Sequence, residues 1–502
     1  MGTLVRRASG NQVAKRLLLA ATIVLAGGVA AGAADAEPAD KDVAQAVEKA
    51  LRMDESVSPH LIDVSIDDGI ITLSGTVSTL FEKEQAIDVT QSVRGVRSIV
   101  DRLSVRSVDR SDDEIRKDVV EALRSDPATD VDDIDVEVED AKVTLRGRAD
   151  SQSEALLIEQ VARDVKGVEA VESRLEARRP PRESDAAIKA QMQHRLGADP
   201  YVDEDRIEVT VDDGQITLAG SVGSLAERAY VLRYARLAGR GVNYDDLEVK
   251  PWQDAPMRRD AGMPRRTDAE TEKAIRDAFE ADPRISGFDI GVNAGNGVVT
   301  LMGTVDNLKA RRAAERTARL TTSVWQVENR IKVRPQTSET DAAIAGNVRE
   351  ALERDSVLER FEIQVVVRNG KAYLMGSVDS AHEKRRAEDV VSRVAGVASV
   401  HNNLVVHPHR PMRLTSDAEI REEIEDEFAW SPFVDGDDLM VRVDEGTVEL
   451  AGTVETWHEY LEAVENAFEG GAVSVSSYMR VEEWDKVFDR YWESPPTEVW
   501  PL

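Results

Sequence analysis

The sequence predicts an α+β chain of six tandem αββαβ modules, each a three-stranded mixed sheet with two helices on one face. Three recurrences predict it. A strand-like phrase with a central glycine appears six times, an apolar residue at helix spacing opens most copies, and a helix N-cap follows each one.

The phrase reads IITLSGTV from Ile70 to Val77, with Gly75 at its centre, and returns around Gly147, Gly220, Gly303, Gly376 and Gly452. Successive glycines lie 72, 73, 83, 73 and 76 residues apart, the spacing of a tandem array.

The first element of each copy is a helix. Thirty-two residues before the glycines sit Val43, Ile115, Ile188, Thr271, Ile344 and Ile420. Val43, Val47, Ala50 and Leu51 then follow the i, i+4, i+7, i+8 pattern of one apolar stripe. Ile115, Val119, Ala122 and Leu123 repeat it, as do Ile344, Val348, Ala351 and Leu352. A short alternating strand comes next, such as IDVEV from Ile134 to Val138, and an Asp-Gly or Asn-Gly turn leads into the glycine strand in four copies.

The second helix opens at Thr79, Ser151, Ser224, Asn307, Ser380 and Thr456. Three residues further on stand Glu82, Glu154, Glu227, Glu383 and Glu459, so five copies predict capping boxes, and the fourth has Ala310 instead. In the second copy Ile158, Val161, Ala162 and Val165 share a face, and Gly167 supplies a left-handed stop. A closing strand such as SRLEAR or NRIKVR completes each copy.

The glycines pose a choice between a phosphate-cradling loop and a structural role. Ile71, Leu73, Gly75 and Val77 share a strand face, so the glycine takes an apolar-side position. A phosphate loop would place its glycines between strand and helix with free amides. The expectation is therefore structural: a missing side chain that lets a helix pack close to the sheet.

This arrangement resembles the BON domain (bacterial OsmY and nodulation domain), through the first-helix stripe, the hairpin ending in ITLSGTV-like phrases, the capped second helix and the closing strand. The copies are placed at 40–106, 111–178, 182–250, 267–335, 338–407 and 415–482. The third departs from the pattern at LAGRGVNYDDLEVK and the sixth around GGAVSVSSYMR. The resemblance implies an α+β sandwich, a cell-envelope location, and binding of phospholipid or other envelope components. The Pro/Arg-rich linker 251–266 accounts for the longest interval and predicts a hinge between three modules and three.

Composition narrows the function. The absence of cysteine excludes disulfides, thiol nucleophiles and Cys-ligated zinc. A formal charge of −31 argues against nucleic acid as a general partner. Arg6, Arg7, Lys15 and Arg16 precede an apolar run from Leu17 to Ala34 and the small-residue site ADA, so residues 1–36 read as a cleavable export signal, with an uncleaved anchor as the rival. The expected location is periplasmic or secreted.

No serine elbow, P-loop, EF-hand or HExxH motif occurs, so no catalytic residue, cofactor or metal is expected. His401, His407 and His409 share the exposed parity of their segment and read as surface histidines. Asp135, Glu137 and Glu139 read as a solvated acidic strand face.

Three features suggest interaction. Lys309, Arg311, Arg312, Arg316 and Arg319 crowd the second helix of the fourth copy; they are candidates for anionic headgroups or for salt bridges to an acidic neighbour. Met302, Tyr373 and Met375 make the polar strand face partly apolar, with inter-repeat packing the expectation. The acidic sixth copy is followed by an aromatic tail, 483–502, in which Trp484, Phe488, Tyr491 and Trp492 share a helical face and Trp500 follows. That tail is a candidate partner-binding segment or a helix capping the last module. The leading expectation is a non-catalytic exported envelope protein touching a phospholipid surface; the alternative is a protein–protein scaffold using the sixth copy and the tail.

Overall fold

The computed structural model describes residues 39–481 and 498–500, apart from 55, 59–60, 130, 179–183, 198, 200–201, 251–265, 322, 325, 337–338, 408–415 and 473. The 1–36 segment, most of the predicted hinge and most of the tail lie outside the described residues.

Each copy folds as helix, strand, strand, helix, strand. In module 1 these are Asp40–Met53, Ile62–Asp67, Ile70–Val77, Leu80–Gln91 and Ser98–Val105. The glycine strand is central: it pairs antiparallel with the first strand and parallel with the third, because the second helix carries the chain back to the starting end of the sheet. All six sheets share this mixed order, and both helices cover one face. Beneath them Ile71, Leu73 and Val77 are buried, as are Val43, Val47 and Leu51 of the predicted stripe.

The hairpin turn has both central residues at positive φ in every module, for example Asp68 at 50° and Gly69 at 72°. This is the type I′ geometry that the twist of a hairpin favours. It also forms in module 2, where Asp140 and Ala141 must both adopt it without a glycine. An aspartate at the first helix's start holds the turn. The Asp40 carboxylate accepts from the amides of Asp68 and Gly69 at 2.9 and 3.0 Å. Asp112, Asp185, Asp268, Asp341 and Asp417 repeat the contact on their own turns.

The second helices are capped as expected: the Ser, Thr or Asn side chain accepts an amide three residues on in all six. The expected box itself closes at Glu383 on the Ser380 amide, whereas in modules 1, 2, 3 and 6 the glutamate accepts from the amide one residue before the cap. The Glu82 carboxylate accepts from Ser78, one residue before the cap, and also from Ser58 in the loop leaving the first helix, at 2.7 and 2.6 Å. Glu227 and Glu459 span the same two sites, and all five glutamates are buried. Glu82, Glu227 and Glu459 therefore staple the first helix's exit to the second helix's entry. Module 4, with Ala310 there, forgoes this link.

The reason for the strand glycines differs from the one expected. Their φ lies between 118° and 152°. A Cβ on Gly75 would stand 2.1 Å from the Leu61 carbonyl oxygen, and one on Gly147 2.0 Å from that of Asp133. The backbone entering the neighbouring strand excludes the side chain, not an approaching helix.

The two irregular copies are accommodated locally. Module 3 closes with the longer strand Gly241–Val249, whose extra length is absorbed by a register shift between Thr217 and Ala219. Module 6 closes with a regular parallel strand, Ser474–Val481, and its sheet gains a fourth strand, Glu498–Trp500.

The modules are not separate beads. Modules 1 and 3 share a continuous apolar core. Leu80 of module 1 enters the core of module 2, and Leu308 of module 4 enters that of module 5 in the same way. Ala226 of module 3 joins the core of module 6. The helical faces meet one another, and the far face of each sheet is left to solvent.

Candidate functional site

Two kinds of surface compete for the functional role: the helix faces between modules and the outward sheet faces. The arginine-rich helix of module 4, Leu308–Arg319, belongs mainly to the first kind. Lys309 is buried, and its Nζ lies 2.5 Å from Asp126 of module 2. Burial, only partly offset by Asp126, lowers its pKa. Arg312 pairs with Glu388 of module 5, and Arg319 lies 2.8 Å from Glu315 on its own helix. Arg311 and Arg319 are half-buried, and Arg316 is exposed. Of the two expectations for this helix, Lys309 and Arg312 follow the salt-bridge one, each pairing with a carboxylate of another module. Packing places these cations there: for Lys309 burial costs the charge more than Asp126 returns, so the pair is held by the contact between modules rather than by a net Coulombic gain.

These pairs belong to a larger network between modules 2 and 5. Arg386 lies 2.7 Å from Asp355 and 2.9 Å from Asp164, and Arg393 is 3.0 Å from Asp164. Burial opposes the charge on Arg386, but Asp355 and Asp164 outweigh it and raise its pKa. The backbone joins in: the Lys166 amide donates to the Arg354 carbonyl and the Ser356 amide to that of Asp164. A cavity of ≈ 60 Å³ sits at the junction. Its twelve lining residues form six equivalent pairs: Ala122 with Ala351, Ser125 with Arg354, Asp126 with Asp355, Val161 with Val390, Asp164 with Arg393, and Val165 with Val394. Each pair is separated by 229 residues, the interval between Gly147 and Gly376, so equivalent positions of the two modules line the cavity from either side.

The sheet faces differ sharply. In module 2 the outward residues are charged and mutually paired: Arg146 with Glu137 at 3.0 Å, Lys142 with Glu172, and Arg174 with Glu172. In module 5 an apolar group sits among polar neighbours such as Gln364, Ser377 and Asn403. Val366, Met375 and Val405 are 37%, 39% and 52% exposed, and Tyr373 stacks on His401 with ring centroids 4.7 Å apart. Met302 in module 4 is 48% exposed, and Met440 and Tyr478 in module 6 are 69% and 44% exposed. The expectation that Met302 and Met375 pack between repeats is therefore corrected, because the modules meet through their helices.

His401 and His407 are exposed, His409 lies outside the described residues, and no group of metal-competent side chains occurs among the described residues. Trp484, Phe488, Tyr491 and Trp492 lie outside the described residues; Trp500 falls in the added strand, opposite Val475. No helix among the described residues is long and apolar enough to cross a membrane.

Sequence reading missed two recurrent groups. The turn-holding aspartates precede each glycine by 35 residues in all six copies. A second aspartate lies at or just past the end of the first helix in five copies, at Asp54, Asp126, Asp199, Asp282 and Asp355, with Ser431 in the sixth. Aligning the copies on their glycines exposes both.

The BON domain family matches residues 39–107, 111–179, 184–251, 267–335, 340–408 and 416–483. The chain belongs to the BON domain family. It is similar to osmotically-inducible protein Y of Escherichia coli, 29% identical over 146 residues, which are 28% of this chain and 73% of that protein. It is also similar to the outer membrane lipoprotein DolP of Haemophilus influenzae, 30% identical over 138 residues, 26% of this chain and 71% of that protein. Among solved structures, the C-terminal domain of CdsD, a type III secretion structural protein of Chlamydia trachomatis, aligns with 45% of this chain and all of that domain at 15% identity and a TM-score of 0.12.

Proposed function

We propose that this protein is a non-catalytic exported envelope protein that contacts phospholipid through several BON modules at once. The observation that carries the reading is the outward sheet face of module 5: Val366, Tyr373, Met375 and Val405 form an apolar patch on a molecule of net charge −31. Helices that pair with other modules leave these faces free, and exposed apolar side chains on modules 4 and 6 offer further contacts. Such weak contacts add through effective concentration. Two relatives named for osmotic induction and for an outer-membrane lipoprotein support an envelope setting and a role in osmotic or envelope stress. On the arginine-rich helix, Arg316 is the cation that remains exposed for a headgroup.

Co-sedimentation of residues 37–502 with anionic and neutral vesicles tests the reading at low and physiological salt. Met375→Glu combined with Val405→Glu is expected to lower the bound fraction about tenfold, while Arg316→Glu weakens only the salt-sensitive part. Wild-type protein that stays in the supernatant under every condition removes the lipid reading and favours the protein scaffold.

A further inference from the structure

The junction of modules 1, 5 and 6 carries far more carboxylates than cations. From module 6, Glu423, Asp426 and Glu427 lie on the first helix, and Glu462, Glu465 and Glu469 on the second. Module 1 contributes Lys49 and the helix-terminal Asp54. Lys49 Nζ sits 2.7 Å from Glu423 and 3.0 Å from Asp426, and Asp54 accepts from Gln85 at 3.0 Å. Module 5 contributes Arg385, 3.1 Å from Glu465, and His382, which faces Asp54. Glu462 also meets His458 at 3.3 Å, and Arg316 of module 4 acts on it.

Two side chains are left on the wrong side of this balance. Glu427 is half-buried; Glu423 and Asp426 beside it already share Lys49. Glu469 is half-buried among Glu465, Glu427, Asp54 and Glu462. Burial raises the carboxyl of Glu427 to about 7 against the pull of Lys49, with Glu423 and Asp426 each adding less, and burial followed by the surrounding like charges lifts that of Glu469 well above its ordinary range. At the same junction the Arg94 amide of module 1 donates to the Trp430 carbonyl of module 6 at 2.9 Å.

We propose that this junction is a proton-driven clasp: proton uptake by Glu427 and Glu469 seats module 6 on module 1, and proton loss loosens that seat. The sign follows from linkage. Between the ordinary glutamate range and neutrality the closed junction binds more protons than the open one, so closure weakens as pH rises through that window. Modules 2 and 5 are joined by the equivalent backbone contact, from the Lys166 amide to the Arg354 carbonyl, but there the carboxylates are matched by Arg386, Arg393 and Lys309. The two junctions thus share one backbone hydrogen bond and differ in charge balance.

Hydrogen exchange of residues 37–502, corrected for intrinsic rates at pH 6.0 and 8.5, tests the clasp. Protection at Arg94 and along 424–430 is expected to fall about tenfold from the lower to the higher pH, while protection at Lys166 stays level. Glu427→Gln with Glu469→Gln removes the two carboxyls the clasp invokes without a change of shape, leaving Glu462, which burial and Glu465 raise to about 8, and should hold most of the acid-form protection at both pH values. Equal protection in wild type at both pH values overturns the proposal. So does a fall that persists undiminished in the double variant, or one that appears equally at Lys166.

Discussion

Modules 2 and 5 contribute equivalent residues to the cavity between them, yet they neutralise equivalent buried aspartates in different ways. Asp126 takes its cation from outside, Lys309 of module 4, whereas Asp355 takes Arg386 from its own module. At another pair of matching positions the charge is reversed, Asp164 against Arg393, and these two bond to each other across the junction. Their outer faces diverge as well: module 2 wears a lattice of ion pairs, module 5 an apolar patch around Tyr373. The difference shows how one backbone serves several roles. Positions pointing into a module repeat because each core must be filled, and positions pointing out diverge because each meets a different neighbour.

The strand glycines give the largest expected effect. Gly147→Ala would set a Cβ 2.0 Å from a carbonyl oxygen, while Gly376→Ala meets one at 2.8 Å, both at strongly positive φ. Module 2 should lose roughly 3 kcal/mol or more and module 5 distinctly less, read as separate shifts in exchange protection of the two sheets. Equal losses would mean that φ strain alone, common to both, sets the cost.

The aspartate pairing comes next. Lys309→Met leaves Asp126 buried without its cation and should cost about 3–5 kcal/mol, with Lys309→Met plus Asp126→Asn recovering most of it. Thermal unfolding of the single and double variants checks this. An undisturbed single variant would show that water reaches Asp126 and that the pair does not join modules 2 and 4.

The turn-holding aspartates give the smallest effect and sharpen the comparison. Asp112→Ala removes the acceptor from a turn that lacks glycine, and Asp341→Ala removes it from an Asn-Gly turn. Losses of about 2 and about 1 kcal/mol are expected, in that order, by urea unfolding.

Within each module the sequence alone determined almost everything. Period-2 and period-3.6 patterns, turn glycines and N-caps are short-range signals, and their sixfold repetition separates them from noise; Ile71, Leu73, Val47 and Leu51 are buried where their spacing places them. What only the tertiary structure decided is what each outward side chain meets. Nothing local tells Lys309, which is buried against a carboxylate, from Arg316, which stays exposed while acting on Glu462, because what each meets depends on which module lies beyond. The strand glycines follow the same rule. Their place on the apolar side could be read from periodicity, but the carbonyl oxygen that excludes a side chain lies across the hairpin, at a distance set by strand pairing and twist.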